Sequence, residues 1–79
     1  MSTMFTFQVA SDVIRDGLGV ELLDESGNVV AEVFRSDALK TVTVSVFVDG
    51  LPLVWVEKLL AAARDRLGEF DDGSPLPKL

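Results

Sequence analysis

One stretch of helical periodicity, Pro52–Leu67, comes after a series of strand-like runs, and this order constrains the fold more than any other feature of the chain. Pro52 suits a first helical turn, where its missing N–H is not needed. Asp49-Gly50-Leu51 can turn the chain, and Asp49 could cap the positive end of the helix. Gly68 follows as a natural stop. At about 100° per residue, Leu53, Val56, Leu60, Ala63 and Leu67 fall on one apolar stripe. Trp55, Leu59 and Ala62 widen it on one flank. The arc covers roughly half of the helix, more than a single contact requires. The stripe is expected to face the core. The flank with Trp55 and Leu59 either wraps into the same core or meets a second chain.

The preceding runs have a period of two, the signature of half-buried strands. Met4–Val9 sets Phe5, Phe7 and Val9 against Thr6 and Gln8. Thr41–Val48 is the cleanest, with Val42, Val44, Val46 and Val48 alternating with Thr41, Thr43, Ser45 and Phe47. Its β-branched residues suit an extended backbone, and its valine face is expected beneath the helix, making Val44 and Leu60 central to the core. Leu18–Leu23 and Val29–Arg35 flank Asp24-Glu25-Ser26-Gly27-Asn28, a hairpin signal with Asp24 to start the turn and Gly27 or Asn28 to take the left-handed position. A three-residue loop would pair Leu22 with Val30 and Val20 with Glu32. A four-residue loop would pair Leu22 with Ala31 and Val20 with Val33. A slip of one residue swaps the faces. The second register is preferred, because it gathers Leu18, Val20, Leu22, Val29, Ala31 and Val33 on one side and leaves Leu23, Val30 and Phe34 on the other. Between the first two strands, Ser11-Asp12-Val13-Ile14-Arg15-Asp16-Gly17 reads as a single helical turn, with Val13 or Ile14 plugging the end of the core.

The fold expected is therefore α+β: a four-stranded antiparallel meander, one C-terminal helix packed on one face, and a short helical turn between strands 1 and 2. Residues 1–70 are predicted to form a single domain. Residues 71–79, with two prolines, a glycine and no periodicity, are predicted to be a flexible tail. A chain of 79 residues has a thin core.

Composition removes several functions. There is no histidine and no cysteine, so Ser–His and Cys–His nucleophiles and histidine- or thiolate-bound zinc are excluded. Thirteen Asp and Glu against seven Lys and Arg give a formal charge of −6, which disfavours nucleic acid and anionic membranes as partners. Paired carboxylates need a cleft to act on a sugar, and so short a chain has little material for one. Asp24–Asn28 lacks the ligand spacing of a calcium loop, and Gly17-Leu18-Gly19 leads into a strand rather than a phosphate-binding helix. No enzymatic activity, cofactor or metal is expected. No run is long and apolar enough to span a bilayer and no secretion leader is evident, so a soluble cytoplasmic protein is expected.

Arg35-Ser36-Asp37 is the most suggestive polar cluster. Arg35 could grip a carboxylate or phosphate with Ser36 assisting, or the three residues could organise a turn with Arg35 paired to a neighbour such as Glu21. The segments Arg15–Leu22 and Val30–Asp37, with Pro52 opening a helix, resemble a group of small uncharacterised bacterial proteins. The resemblance spans most of residues 5–67 and implies no activity.

One helix covers one sheet face. The reverse would then present Leu23, Val30, Phe34 and Phe47 to water, and the Trp55–Leu59 flank of the helix is a further candidate contact. Such a patch marks an interaction site. The function expected is a small protein-interaction or structural module that self-associates as a homodimer through this apolar face. The alternatives are an acidic inhibitor- or immunity-like protein for a basic protein partner, and a small-molecule binder.

Overall fold

The computed structural model describes residues 4–77. Four strands, β1 (Thr6–Asp12), β2 (Gly17–Leu23), β3 (Val29–Ser36) and β4 (Thr41–Val46), precede one helix, α1 (Leu53–Arg66). The strands form one antiparallel sheet in the order β1-β2-β3-β4, and α1 packs against it. This is the expected α+β meander. The connection between β1 and β2 is a tight four-residue turn, not a helical one. Val13 and Ile14 project into solvent at its tip instead of plugging the core.

The hairpin register is that of the four-residue loop: Leu22 faces Ala31 and Val20 faces Val33. One refinement appears at the turn. Leu23 pairs with Val29, so Val30 is skipped as the extra residue of a bulge. The bulge explains why Val30 is buried in the core cluster instead of on the reverse face. Asp24 organises the loop as its side chain accepts the Ser26 and Asn28 N–H groups at 2.9 and 3.0 Å. Gly27 takes the left-handed position, at φ 84°.

The core lies between the front of the sheet and α1. Val20, Leu22, Val30, Ala31 and Val33 meet Leu59, Ala63 and Leu67. The helix is rotated from the expected stripe. Leu59 sits at the centre of the contact and Leu53 is exposed. The cause is aromatic packing at the other margin of the sheet: Trp55 meets Phe5 edge-on at 4.9 Å and lies 6.3 Å from Phe7. The helix consequently rests on β1, β2 and β3. Val44 and Val46 of β4 remain about half exposed, and only Val42 of that strand's valines packs on the core. Pro52 is the N-cap of α1 and its carbonyl accepts the Trp55 and Val56 N–H groups, with no side-chain cap from Asp49. Arg35 Nη1 donates to the Leu67 carbonyl at the other end.

Residues 70–74 form a turn; of the segment 71–79 expected to be flexible, residues 78–79 lie outside the described residues. The Phe70 N–H donates to the Ser74 carbonyl and the Gly73 N–H to the Phe70 carbonyl. Phe70 is buried, and Leu76 packs against the core.

Candidate functional site

The reverse face of the sheet is not the open apolar patch the strand pattern implies. Its rows run straight across the register: Thr6–Leu23–Val29 at the loop end, with Leu23 and Val29 half-buried, then Gln8–Glu21–Glu32–Ser45, then Ala10–Gly19–Phe34–Thr43, then Asp12–Gly17–Ser36–Thr41. Of these rows only the third carries an aromatic ring. Phe34 is buried, because Arg15 reaches over it from the β1–β2 turn with its guanidinium carbon 3.9 Å from the ring centroid. Glu32 holds that guanidinium in place through two parallel hydrogen bonds of 2.9 Å. Asp12 Oδ2 accepts from Arg15 Nε at 2.6 Å, and Asp12 Oδ1 accepts the Arg15 N–H at 2.9 Å. Those contacts keep the Asp12 carboxyl below its usual value. Glu21 and Glu32 are direct cross-strand neighbours, a repulsive pair in isolation. Arg15 on one and Gln8 Nε2, 2.9 Å from the other, offset that repulsion.

Gly17 and Gly19 explain how the ring fits. A Cβ on Gly17 would overlap the Arg35 carbonyl oxygen and lie 2.5 Å from Phe34 Cζ. A Cβ on Gly19 would lie 2.9 Å from a Glu32 carboxylate oxygen. The Gly-Leu-Gly run is therefore a seat for Phe34 and Glu32.

The proposed interaction residues are thus dispersed. Val30 and Leu59 belong to the core, Phe34 is roofed by Arg15, and Trp55 is engaged with Phe5 and Phe7. Leu23 is half-buried, and Phe47 alone of the six is strongly exposed. Exposed apolar surface lies elsewhere. β4 and its continuation expose Val44, Val46, Phe47 and Val48, and the pair of turns at the opposite end exposes Val13, Ile14 and Leu39. Met4, Val9 and the first helical residues Leu53 and Val54 are exposed as well.

Arg35, Ser36 and Asp37 are brought together, and each faces the protein itself. Arg35 Nη2 donates to Asp37 Oδ2 at 3.1 Å. Its Nε lies 3.1 Å from Oδ1, close enough for an ion pair although the N–H is not aimed at the oxygen. Asp37 Oδ1 accepts the Asp71 N–H at 3.0 Å, and Ser36 Oγ accepts the Leu39 N–H at 3.2 Å. Burial alone would raise the Asp37 carboxyl, but Arg35 and the Asp71 N–H outweigh it and hold it below the usual range. The cluster fastens the end of α1 and the folded-back segment to the β3–β4 turn. Its partner is Asp37, not Glu21.

Carboxylate oxygens of Asp16, Asp37 and Asp71 lie within 4.8 Å of one another, the spacing of a cation site. Cationic side chains already serve two of them: Arg35 pairs with Asp37, and Lys40 Nζ lies 2.7 Å from Asp71 and 3.4 Å from Asp72. Asp71, in turn, holds the Lys40 ammonium above its usual value. The Ser74 hydroxyl and N–H lower Asp72 to about 2.

A groove of about 320 Å³ opens on the reverse face beside the turns. Phe34 and Arg15 form one side, Ser36, Thr41 and Thr43 supply hydroxyls, and Ala38 and Leu39 form the rim. Sequence reasoning missed this groove and the two apolar turn tips. A signal for the tips was present: Val13-Ile14 sits between polar residues in a turn joining two strands of equal length, too far from the sheet centre to reach the core.

Comparison of the chain with protein-family models, curated proteins and solved structures found no match. Among the described residues no helix is long and apolar enough to cross a membrane.

Proposed function

We propose that this protein is a non-enzymatic interaction module that pairs with a second copy of itself along β4. The supporting observation is the margin of the sheet formed by Thr41–Val48. β4 is hydrogen-bonded to β3 on one side only. The run carries no charge and no proline in a chain that is 25% charged, whereas exposed edges are normally blunted by both. Val44, Val46, Phe47 and Val48 are exposed along it.

The second copy is favoured as the occupant because the strip is self-complementary. Antiparallel pairing about Val44 sets Val42 against Val46 of the other copy and keeps all valines on the front face. Each copy carries −6, so contacts through charged surface repel, and an eight-residue uncharged strip avoids that cost. The absence of histidine and cysteine and the internal engagement of Arg35, Asp37 and Asp71 agree with a role that involves no chemistry.

Light scattering across a concentration series tests the reading. The expected result is twice the monomer mass at high concentration, and monomer for Val44→Lys, which places two like charges face to face. A monomeric parent at every concentration removes the proposal.

A further inference from the structure

The two turns at one end of the sheet form a single platform. Val13-Ile14-Arg15-Asp16 links β1 to β2, and Asp37-Ala38-Leu39-Lys40 links β3 to β4. They are built alike. In each, the residue before the turn uses a side-chain oxygen to accept the N–H three residues on: Asp12 accepts from Arg15, and Ser36 from Leu39. In each, the fourth residue is left-handed although not glycine, Asp16 at φ 53° and Lys40 at φ 54°. The turns are joined directly, because the Asp37 N–H donates to the Asp16 carbonyl at 2.9 Å. The groove runs between them, with Arg15 of one and Leu39 of the other on its walls.

The platform presents the three most exposed large apolar side chains of the described residues: Ile14 at 97%, Val13 at 92% and Leu39 at 75%. Scattered singly, exposed apolar residues need no explanation. Three on two fastened turns beside a groove walled by Arg15 and Phe34 form a surface. Six carboxylates surround three cations there, since Arg15 and Lys40 each meet two, Arg35 meets Asp37, and Asp16 stands beside Asp37. The excess is three negative charges, half of the net −6 of the whole chain. The last helical turn and the two residues after Leu67 bring Arg64 and Arg66 with Asp65 and Glu69, which leaves that balance unchanged.

We infer that this turn end is a docking site for a basic protein segment with an apolar face, whose anchor side chain enters the groove beside Arg15, between Leu39 and the hydroxyls of Thr41 and Thr43. Charge complementarity selects the occupant: an acidic rim around apolar tips repels acidic segments and anionic lipid, and attracts lysine or arginine flanking an apolar anchor. The groove is at the small end of ligand pockets, the size of an anchor rather than of a whole cofactor. The groove borrows Thr41 and Thr43 from the start of β4, but the apolar tips Val13, Ile14 and Leu39 lie outside that strand.

The test is a titration of isotope-labelled protein, followed by NMR, with a short helical peptide of leucine and lysine and with its leucine–glutamate counterpart. The lysine peptide should shift the amides of residues 13–16 and 36–41 with a dissociation constant on the order of 10 µM, and binding should weaken about tenfold as salt rises from about 0.05 to 0.5 M. Ile14→Ser combined with Leu39→Ser should weaken binding at least about tenfold, the loss of an apolar anchor contact, while Val44→Lys leaves it intact. Both serine positions are solvent-exposed, and an unchanged thermal melt verifies the fold. Equal binding of the two peptides, or equal binding by the double serine variant, overturns the inference. So does a larger shift of the same amides by zwitterionic lipid vesicles, which would make the tips a membrane anchor.

Discussion

The two faces of this sheet are closed by opposite means. On the front, α1 lays Leu59, Ala63 and Leu67 over Val20, Leu22 and Val33, an apolar contact with no titratable group in it. On the reverse, a single side chain does the covering: Arg15 lies over Phe34, held by Glu32 and Asp12, with Gly17 and Gly19 clearing the space. No helix covers this face among the described residues; one arginine lent from a turn covers its aromatic ring. Phe34 is therefore satisfied within one chain, and the most exposed apolar side chains lie at the margin and the turn end.

Substitutions and an acid titration test this contrast. Leu59→Ala should have the largest effect, a loss of roughly 2–5 kcal/mol in urea unfolding from the cavity left in the front contact. Val44→Asp, at a half-exposed position, should retain a cooperative melt as a monomer, so equal losses for the two would mean that the front contact is misplaced. Gly17→Ala comes next, at roughly 1–3 kcal/mol, because the added methyl overlaps the Arg35 carbonyl and the Phe34 ring. An unchanged melt would show that the ring seat is loose.

Arg15→Ala should be milder, since nearly half of that side chain is exposed and its ion pairs are partly screened by solvent. It should lower the melting temperature less than Leu59→Ala while increasing the solvent access of Phe34. Lysine at this position should not restore the roof, because it cannot hold Glu32 with two bonds and stack on the ring together. The smallest effect is that of acid. Asp12 and Asp72 are held below their usual value in the folded chain, Asp72 at about 2. A carboxyl depressed by folding contributes stability above its ordinary value, and that contribution is lost as pH falls through the folded value. Stability should therefore decline from about pH 4 toward about pH 2, with the amides of Arg15 and Ser74 responding before those of the front core. Simultaneous loss of both would deny the faces their independence.

Much of the architecture was legible because alternation is a strict code. Apolar residues at every second position marked the strands, and the pairing of Leu22 with Ala31 followed from putting them on one side. The rotation of α1 was not legible. Its apolar arc is about half a circumference, so periodicity allowed either Leu53 or Leu59 at the centre, and the choice was made by Phe5 and Phe7, about fifty residues earlier, seizing Trp55. Arg15 over Phe34 was equally hidden, since nothing local tells an arginine in a turn which ring it will cover. Arg35, Ser36 and Asp37 were recognisable as a cluster, but their service to the chain's own helix end needed the fold to appear.

The order of the elements along the chain has a bearing on synthesis. A meander forms from neighbouring hairpins and needs no distant partner, so its four strands can pair as they leave the ribosome. Their cover is encoded last: until Leu59, Ala63 and Leu67 emerge, Val20, Leu22 and Val33 stand as an unshielded greasy sheet beside an unguarded margin. Nascent chains stalled before residue 67 should accordingly be the species that chaperones hold and that aggregates recruit.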